Sequence, residues 1–316
     1  MTIKRYSKED LPVWDAFVRK SRNGTFLFER AYMDYHKDRF ADHSLLYYND
    51  KNKLIALLPG NAVGSLYSSH SGLTYGGFVL APHTRAVEVL DLFSATREYL
   101  KSEGFAKWVY KQVPSIYHKS PSEDDEYALW KNGAELVSCN LSTTANLHAD
   151  FRKIIDPDKE RKKVRALQDG FVVKETDDFS SYWPIVENLL QNKYGTKPVH
   201  TLKEITLLHN HFPKQIRCFV AIADEKIEAG VVVYETEGVV HAQYSDATEY
   251  GQTKGAIILI YKYLIDYYQS NRPDIRYFDF GTSNEDGGKY LNTSLNSFKE
   301  DFGGRGIAYK TYQIML

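Results

Sequence analysis

Two cysteines in 316 residues, Cys139 and Cys218, are too few for a disulfide framework. Both lie in apolar segments that read as strands, so they are expected to be buried thiols in a reducing compartment. No apolar run approaches the ~18 residues of a membrane span. The first ten residues, Met-Thr-Ile-Lys-Arg-Tyr-Ser-Lys-Glu-Asp, hold no apolar signal core, and the cytoplasm is the expected location. A net charge of −1 excludes global attraction to DNA, RNA or anionic membrane. Gly-x-Ser-x-Gly is missing, and no His/Cys spacing suits zinc, so neither a serine acyl-enzyme nor a metal is expected.

What is present is an ordinary globular composition, 43% hydrophobic and 26% charged, with an unusual 24 tyrosines. Tyrosine joins apolar area to a hydrogen-bonding tip, which suits either a substrate cleft or a β-rich core. The length exceeds one comfortable core, and two domains are expected. In the first half, Asp10–Arg19 and Glu29–Phe40 read as helices, and Ser44–Tyr48 with Lys53–Leu58 as a hairpin. Thr84–Glu103 and Asp124–Asn132 are helical; Lys107–Val113 and Ala134–Leu141 are strands. The second half repeats this order. Helices Asp178–Lys193 and Leu202–Asn210 precede strands Arg217–Ala223, Ile227–Tyr234 and Val239–Ser245, then helix Ala256–Gln269 and strand Arg276–Phe280. The polar stretch Asn146–Pro157 marks the boundary, giving domains 1–147 and 148–316.

Two stretches carry unusual chemistry. Ser65–Phe78 combines hydroxyls, a histidine and glycines, either as a glycine-bent strand or as a cleft wall offering Ser71 and Tyr75 to a polar substrate. Asp158–Arg165 is strongly basic, either a solvated helix face or a phosphate contact.

The C-terminal third is the most informative. Strand Val239–Asp246 leads into a polar loop, Gly251-Gln252-Thr253-Lys254-Gly255-Ala256, and then an apolar helix. Free N–H groups at a helix start, with glycines admitting close approach, can cradle a diphosphate, and Lys254 would add charge. An ordinary strand-to-helix turn is the plain alternative. His241, Tyr244 and Asp246 lie on the strand feeding this loop, and histidine is the residue type among them whose unperturbed pKa suits a base. Asp279, between Phe278 and Phe280, is a candidate base or anchor. Tyr277-Phe-Asp-Phe-Gly-Thr-Ser283 and Phe298-Lys-Glu-Asp-Phe-Gly-Gly304 close the chain's motifs.

These residues resemble the GNAT acyltransferases, whose phosphate loop reads Gln/Arg-x-x-Gly-x-Gly/Ala. Gln252-x-x-Gly255 matches, and Ile257 departs from the final position. The two closing motifs resemble the Fem-like branch, aminoacyltransferases that build peptidoglycan cross-bridges. The resemblance implies an α/β chain of two tandem GNAT-like domains, each a mixed, mostly antiparallel sheet flanked by helices. It implies an acceptor side in the first domain and a donor side in the second. The implied activity is direct transfer of an acyl or aminoacyl group to an amine of a cell-envelope precursor. Acyl-CoA, such as acetyl-CoA, is the favoured donor and aminoacyl-tRNA the alternative. Lys299 matches the Fem-like lysine and would steady an oxyanion or a phosphate. With it, the expected catalytic residues are Asp279 and His241; Gln252 to Ala256 bind the donor, and Ser71, Tyr75, Tyr244 and Ser283 the substrate. A non-catalytic double-GNAT module binding a nucleotide or peptide is the competing expectation, supported by Ile257.

Overall fold

The computed structural model describes the backbone of residues 1–316 and every side chain except those of 193 and 194. The chain divides into two compact units. Unit 1 comprises Met1–Leu141, Asn284–Tyr290 and Ala308–Leu316; unit 2 comprises Ser142–Ser283 and Leu291–Ile307.

Unit 1 opens with β1 (Thr2–Arg5), α1 (Leu11–Lys20) and a single helical turn α2 (Arg30–Met33). Strands β2 (Leu45–Tyr48), β3 (Leu54–Leu58), β4 (Asn61–Val63), β5 (Leu66–Ser69) and β6 (Val79–Leu80) follow, then α3 (Ala86–Ser102), β7 (Lys107–Lys111), α4 (Asp124–Lys131) and β8 (Glu135–Asn146). β1, β2, β3 and β6 form one antiparallel sheet. β5 pairs antiparallel with β4 and parallel with β7, which in turn pairs with the last strand, Arg305–Met315. α3 buries Val89, Leu92, Phe93, Thr96 and Leu100, a helical stripe, against Trp108 and Tyr110. The helix expected over Glu29–Phe40 ends at Met33 because Asp34–His36 tightens into a 3₁₀ turn, where Arg30 pairs with Asp34 and Asp42.

Unit 2 adds α5 (Pro157–Gln168), β9 (Val172–Thr176), α6 (Trp183–Tyr194), α7 (Leu202–His211), β10 (Ile216–Ala223), β11 (Lys226–Glu235) and β12 (Val239–Ala247). Then come α8 (Glu249–Lys254), α9 (Ala256–Asn271) and β13 (Tyr277–Thr282). After short strands β14 (Asn284–Glu285) and β15 (Tyr290–Leu291), α10 (Thr293–Glu300) precedes the last strand, now β16. The unit's sheet runs β8, β13, β12, β11, β10, β9, antiparallel except for the parallel pair β12–β13. α9 covers one face, burying Leu259, Ile260, Leu264, Ile265 and Tyr268 against Val231, Val240 and Phe278.

The surplus tyrosines serve the cores. Tyr47, Tyr67, Tyr110, Tyr182 and Tyr268 are buried, and their hydroxyls reach Thr96 (2.7 Å), His43 O (3.2 Å), Asp125 (2.9 Å), Gly230 O (2.8 Å) and Glu235 (2.5 Å). Cys218 is buried as expected; Cys139 is exposed, because the opening residues of β8 face solvent. The basic stretch forms α5, whose charges meet carboxylates of this unit. Lys159 pairs with Asp301 (2.9 Å), Lys162 with Asp158 (2.7 Å) and Lys163 with Asp266 (3.2 Å).

Asp125, buried on α4, accepts from Tyr110 Oη and from Gln112 Nε2 (3.0 Å), and burial pushes its carboxyl up to about 6. A folded pKa above the unfolded one stabilises below about pH 4, and that contribution fades as pH rises to 6. The penalty at neutral pH is about 3 kcal/mol. Asp125→Asn should therefore gain stability relative to the parent as pH rises from 4 to 6 in urea unfolding. A pH-independent difference between the two chains contradicts this assignment.

Candidate functional site

β12 and β13 lie parallel over only three pairs, from Val239 opposite Tyr277 to His241 opposite Asp279. Past that point β12 continues alongside β11 alone, with a bulge that opposes Ala242 to Val233 and Tyr244 to Val232. The two strands thus part in a fork. Alternation along β13 sends Phe278 and Phe280 into the aromatic core, with ring centroids 5.9 and 5.1 Å from Tyr261, and Asp279 to the opposite face.

Asp279 is fully buried. Its carboxylate accepts from Ser142 Oγ (2.5 Å), Thr144 Oγ1 (3.0 Å) and the Gly281 N–H (3.2 Å). It also faces His241 Nδ1 at 2.8 Å. A carboxylate acceptor places the imidazole proton on Nδ1, so Nε2 carries the lone pair. The His241 ring keeps 13% exposure, enough to meet a substrate proton. This is the geometry of a base with its orienting group.

Two residues beyond Asp279, Gly281 adopts φ +80°, and a Cβ there would stand 3.4 Å from His241 Cε1. That turn exposes two successive carbonyls to Lys299, whose Nζ donates to Gly281 O (2.9 Å) and Thr282 O (2.8 Å). Burial pushes the Lys299 amine down to about 8, and the nearby Asp279 charge partly opposes the shift. An ammonium has three donors, so one remains beyond these two carbonyls. α10 is fixed by the Asn292 cap on Leu295 N (3.0 Å), by Thr143 Oγ1 bonding Asn296 (3.2 Å), and by Phe298, and Phe302 just beyond the helix, packing tilted and edge-on against Tyr261. Ser283 is buried at the same corner, and its Oγ has no hydrogen-bond partner among the described residues.

The stretch read as a polar phosphate loop is helical. Thr248 Oγ1 caps α8 by accepting Gly251 N (3.0 Å), and Gly255 (φ +76°) closes it as the αL residue. Packing requires Gly251, where a Cβ would lie 2.2 Å from Glu228 O, whereas Gly255 is required by its positive φ, a Cβ there meeting Lys162 on α5 at an ordinary 3.7 Å. Ala256 is fully buried. Gln252 Nε2 donates to Ala247 O (3.1 Å), Thr253 Oγ1 to Glu249 O (2.9 Å), and Lys254 pairs with Asp169 (3.2 Å). The side chains of Gln252, Thr253 and Lys254 are thus engaged within unit 2.

Two other expected substrate residues lie in packed surroundings. Tyr244 is buried, its hydroxyl 2.7 Å from His200 Nδ1 and its ring edge-on to Trp183. Tyr75, read as part of a cleft wall, is instead buried in unit 1, where its hydroxyl donates to Thr25 (3.0 Å) and its ring packs on Phe28 and Tyr117. Ser71 is exposed, with its N–H bonded to Asn61 Oδ1 (2.7 Å). The cluster at the fork thus joins His241, Asp279, Lys299 and Ser283. Sequence reasoning missed Ser142 and Thr144, whose meeting with Asp279 through strand pairing no local pattern signals.

At the level of sequence, neither a family model nor a curated protein matches the chain. Solved structures do. FemX aligns over 100% of this chain and 98% of its own with TM-score 0.70 at 10% identity. L-PGS from Bacillus licheniformis aligns over 98% of this chain and 93% of its own (TM-score 0.63, 11% identity). A tandem GNAT protein from the clavulanic acid biosynthesis pathway covers 99% and 98% (TM-score 0.57, 9% identity). The chain therefore has the tandem GNAT fold, a mixed α/β architecture. Within that class its fold is Fem-like.

Removing Asp279 strands several buried donors at once, whereas removing Lys299 strands two carbonyls. Lys299→Ala should cost roughly 1–3 kcal/mol and lower the melting temperature by a few degrees. Asp279→Ala should cost about 4 kcal/mol or more. Calorimetric melting checks the order, and equal losses would place Asp279 outside any shared network.

Proposed function

We propose that this chain is an N-acyltransferase that moves an acyl or aminoacyl group onto an amine of a cell-envelope precursor by direct attack. The observation that carries this reading is the cluster at the fork, with a base oriented by a buried carboxylate beside a buried ammonium. The acceptor nitrogen attacks the donor carbonyl while His241 Nε2 takes the proton from the nitrogen. Asp279 holds the tautomer and balances the imidazolium. Lys299 stabilises the oxyanion in a site where burial strengthens the interaction. The carbon–oxygen or carbon–sulfur bond to the leaving group then breaks, and His241 returns its proton to the departing atom.

The donor is an activated acyl or aminoacyl ester. Engagement of Gln252, Thr253 and Lys254 with Ala247 O, Glu249 O and Asp169 favours a donor held by other contacts than a diphosphate at α9, which moves the balance from acyl-CoA toward aminoacyl-tRNA. The same closed stretch favours the competing reading of a binding module without turnover. The cytoplasm, where nucleotide-linked precursors are made, is the proposed location.

Transfer from acetyl-CoA and from aminoacyl-tRNA to nucleotide-linked peptides and amino sugars tests the reading. Product formation with either donor, lost in Lys299→Ala and in His241→Ala, supports it. Binding without turnover across the panel supports the module instead. Because Lys299 is charged only below about pH 8, kcat should fall as pH rises past that value. Lys299→Arg should retain partial activity without that fall, since guanidinium stays charged; an unchanged alkaline limb would remove Lys299 from the chemistry.

A further inference from the structure

A β-bulge decides what stands next to His241. On β12, His241 lies opposite Tyr234 of β11, Ala242 opposite Val233 and Tyr244 opposite Val232, so Gln243 is an extra residue that nothing on β11 opposes. In a regular strand, residues three apart face opposite ways. Here the extra residue returns Tyr244 to the face that carries His241. Their partners Tyr234 and Val232 are two residues apart, which sets the Cα atoms of His241 and Tyr244 about 7 Å from each other.

The other neighbours of His241 on that face are sealed. Val239, two residues back along β12, is fully buried, as is Asp279 across on β13, and Tyr234 across on β11 keeps 2% exposure. Tyr244 keeps 9%. The way out along the sheet from His241 Nε2 therefore runs over Tyr244. That ring is held in place. Its hydroxyl accepts from the His200 N–H (3.3 Å) and meets His200 Nδ1 at 2.7 Å, and its ring meets Trp183 edge-on with centroids 5.1 Å apart. His200 and Trp183 are themselves buried, so swinging the ring aside would break two hydrogen bonds away from water.

The geometry points to Tyr244 as the residue that sets the size of the transferred group; this rests on the acyl-transfer reading above. A ring fixed by His200 and Trp183 leaves room beside His241 for a short, unbranched acyl or aminoacyl group and turns away branched and aromatic ones. Discrimination is steep because an added methylene that meets the ring pushes the carbonyl out of line with the attacking amine.

Transfer to the amine of a nucleotide-linked peptide, from acetyl-, butyryl- and hexanoyl-CoA and from glycyl-, leucyl- and phenylalanyl-tRNA, reads the size profile in kcat/KM. In whichever series the parent uses, kcat/KM should fall roughly tenfold or more from the smallest group to the next. Tyr244→Ala should raise the largest group relative to the smallest roughly tenfold or more. Tyr244→Phe keeps the ring and should keep the parent's preference, while its melting temperature falls by a few degrees with the loss of the bonds to His200. Should Tyr244→Ala fail to fold, Tyr244→Leu carries the same test. A parent indifferent to size, a profile that the smaller side chain leaves unchanged, or an equal relaxation in Tyr244→Phe overturns the assignment and leaves the acyl-transfer reading standing. A parent that transfers from none of these donors overturns that reading, and this inference with it.

Discussion

Burial of the Asp279 carboxylate is the constraint on which the unit 2 site depends. A buried carboxylate is tolerated only when its lone pairs are met. Here two hydroxyls of β8, one backbone N–H and one imidazole meet them. Each partner fixes something else. Ser142 and Thr144 hold β8 against β13, the Gly281 N–H sets the turn that ends the strand, and His241 is locked with its lone pair on Nε2. The same turn presents the carbonyls that hold Lys299. Base, orienting group and ammonium thus derive from one charge and one backbone bend.

Unit 1 holds a second fork, filled differently. β5 and β7 are also parallel, and their last pair is Ser69 opposite Tyr110. Beyond it the chain turns back on itself: Lys111 Nζ donates to Ser71 O (3.1 Å) and Leu73 O (2.7 Å), and Gly76 N donates to Lys111 O (3.1 Å). Burial lowers the Lys111 amine to about 8, as it does at Lys299. The lysine in unit 1 stitches a loop across the fork, while that in unit 2 lies near the Asp279 carboxylate. Chemistry follows from what fills the gap, not from the strand pairing alone.

Much of the architecture was legible because periodicity and turn residues agree. Long strands such as β10, β11 and β12 and the helices α3 and α9 fall close to their expected bounds. His241 and Asp279 were legible as chemistry since each is a titratable residue inside a β-branched or aromatic run. Their hydroxyl partners were not, because Ser142 and Thr144 meet Asp279 only through pairing across more than a hundred residues. α8 was missed for a different reason. Gly251 and Gly255 read as loop signals, yet one is required by the approach of Glu228 O and the other by a left-handed cap. Tyr75 misled because a segment rich in glycine and hydroxyls resembles a cleft, and only tertiary contacts reveal that it is core.

The central claim is that Asp279 sets the electrostatics of the fork. Its most direct test is an NMR titration of the Lys299 side-chain amine in the parent chain and in Asp279→Asn. The account predicts a midpoint near 8 in the parent and a lower one in the variant, where the charge that opposes burial has gone. A parent amine titrating as an ordinary surface lysine, or a midpoint indifferent to Asp279, would contradict it.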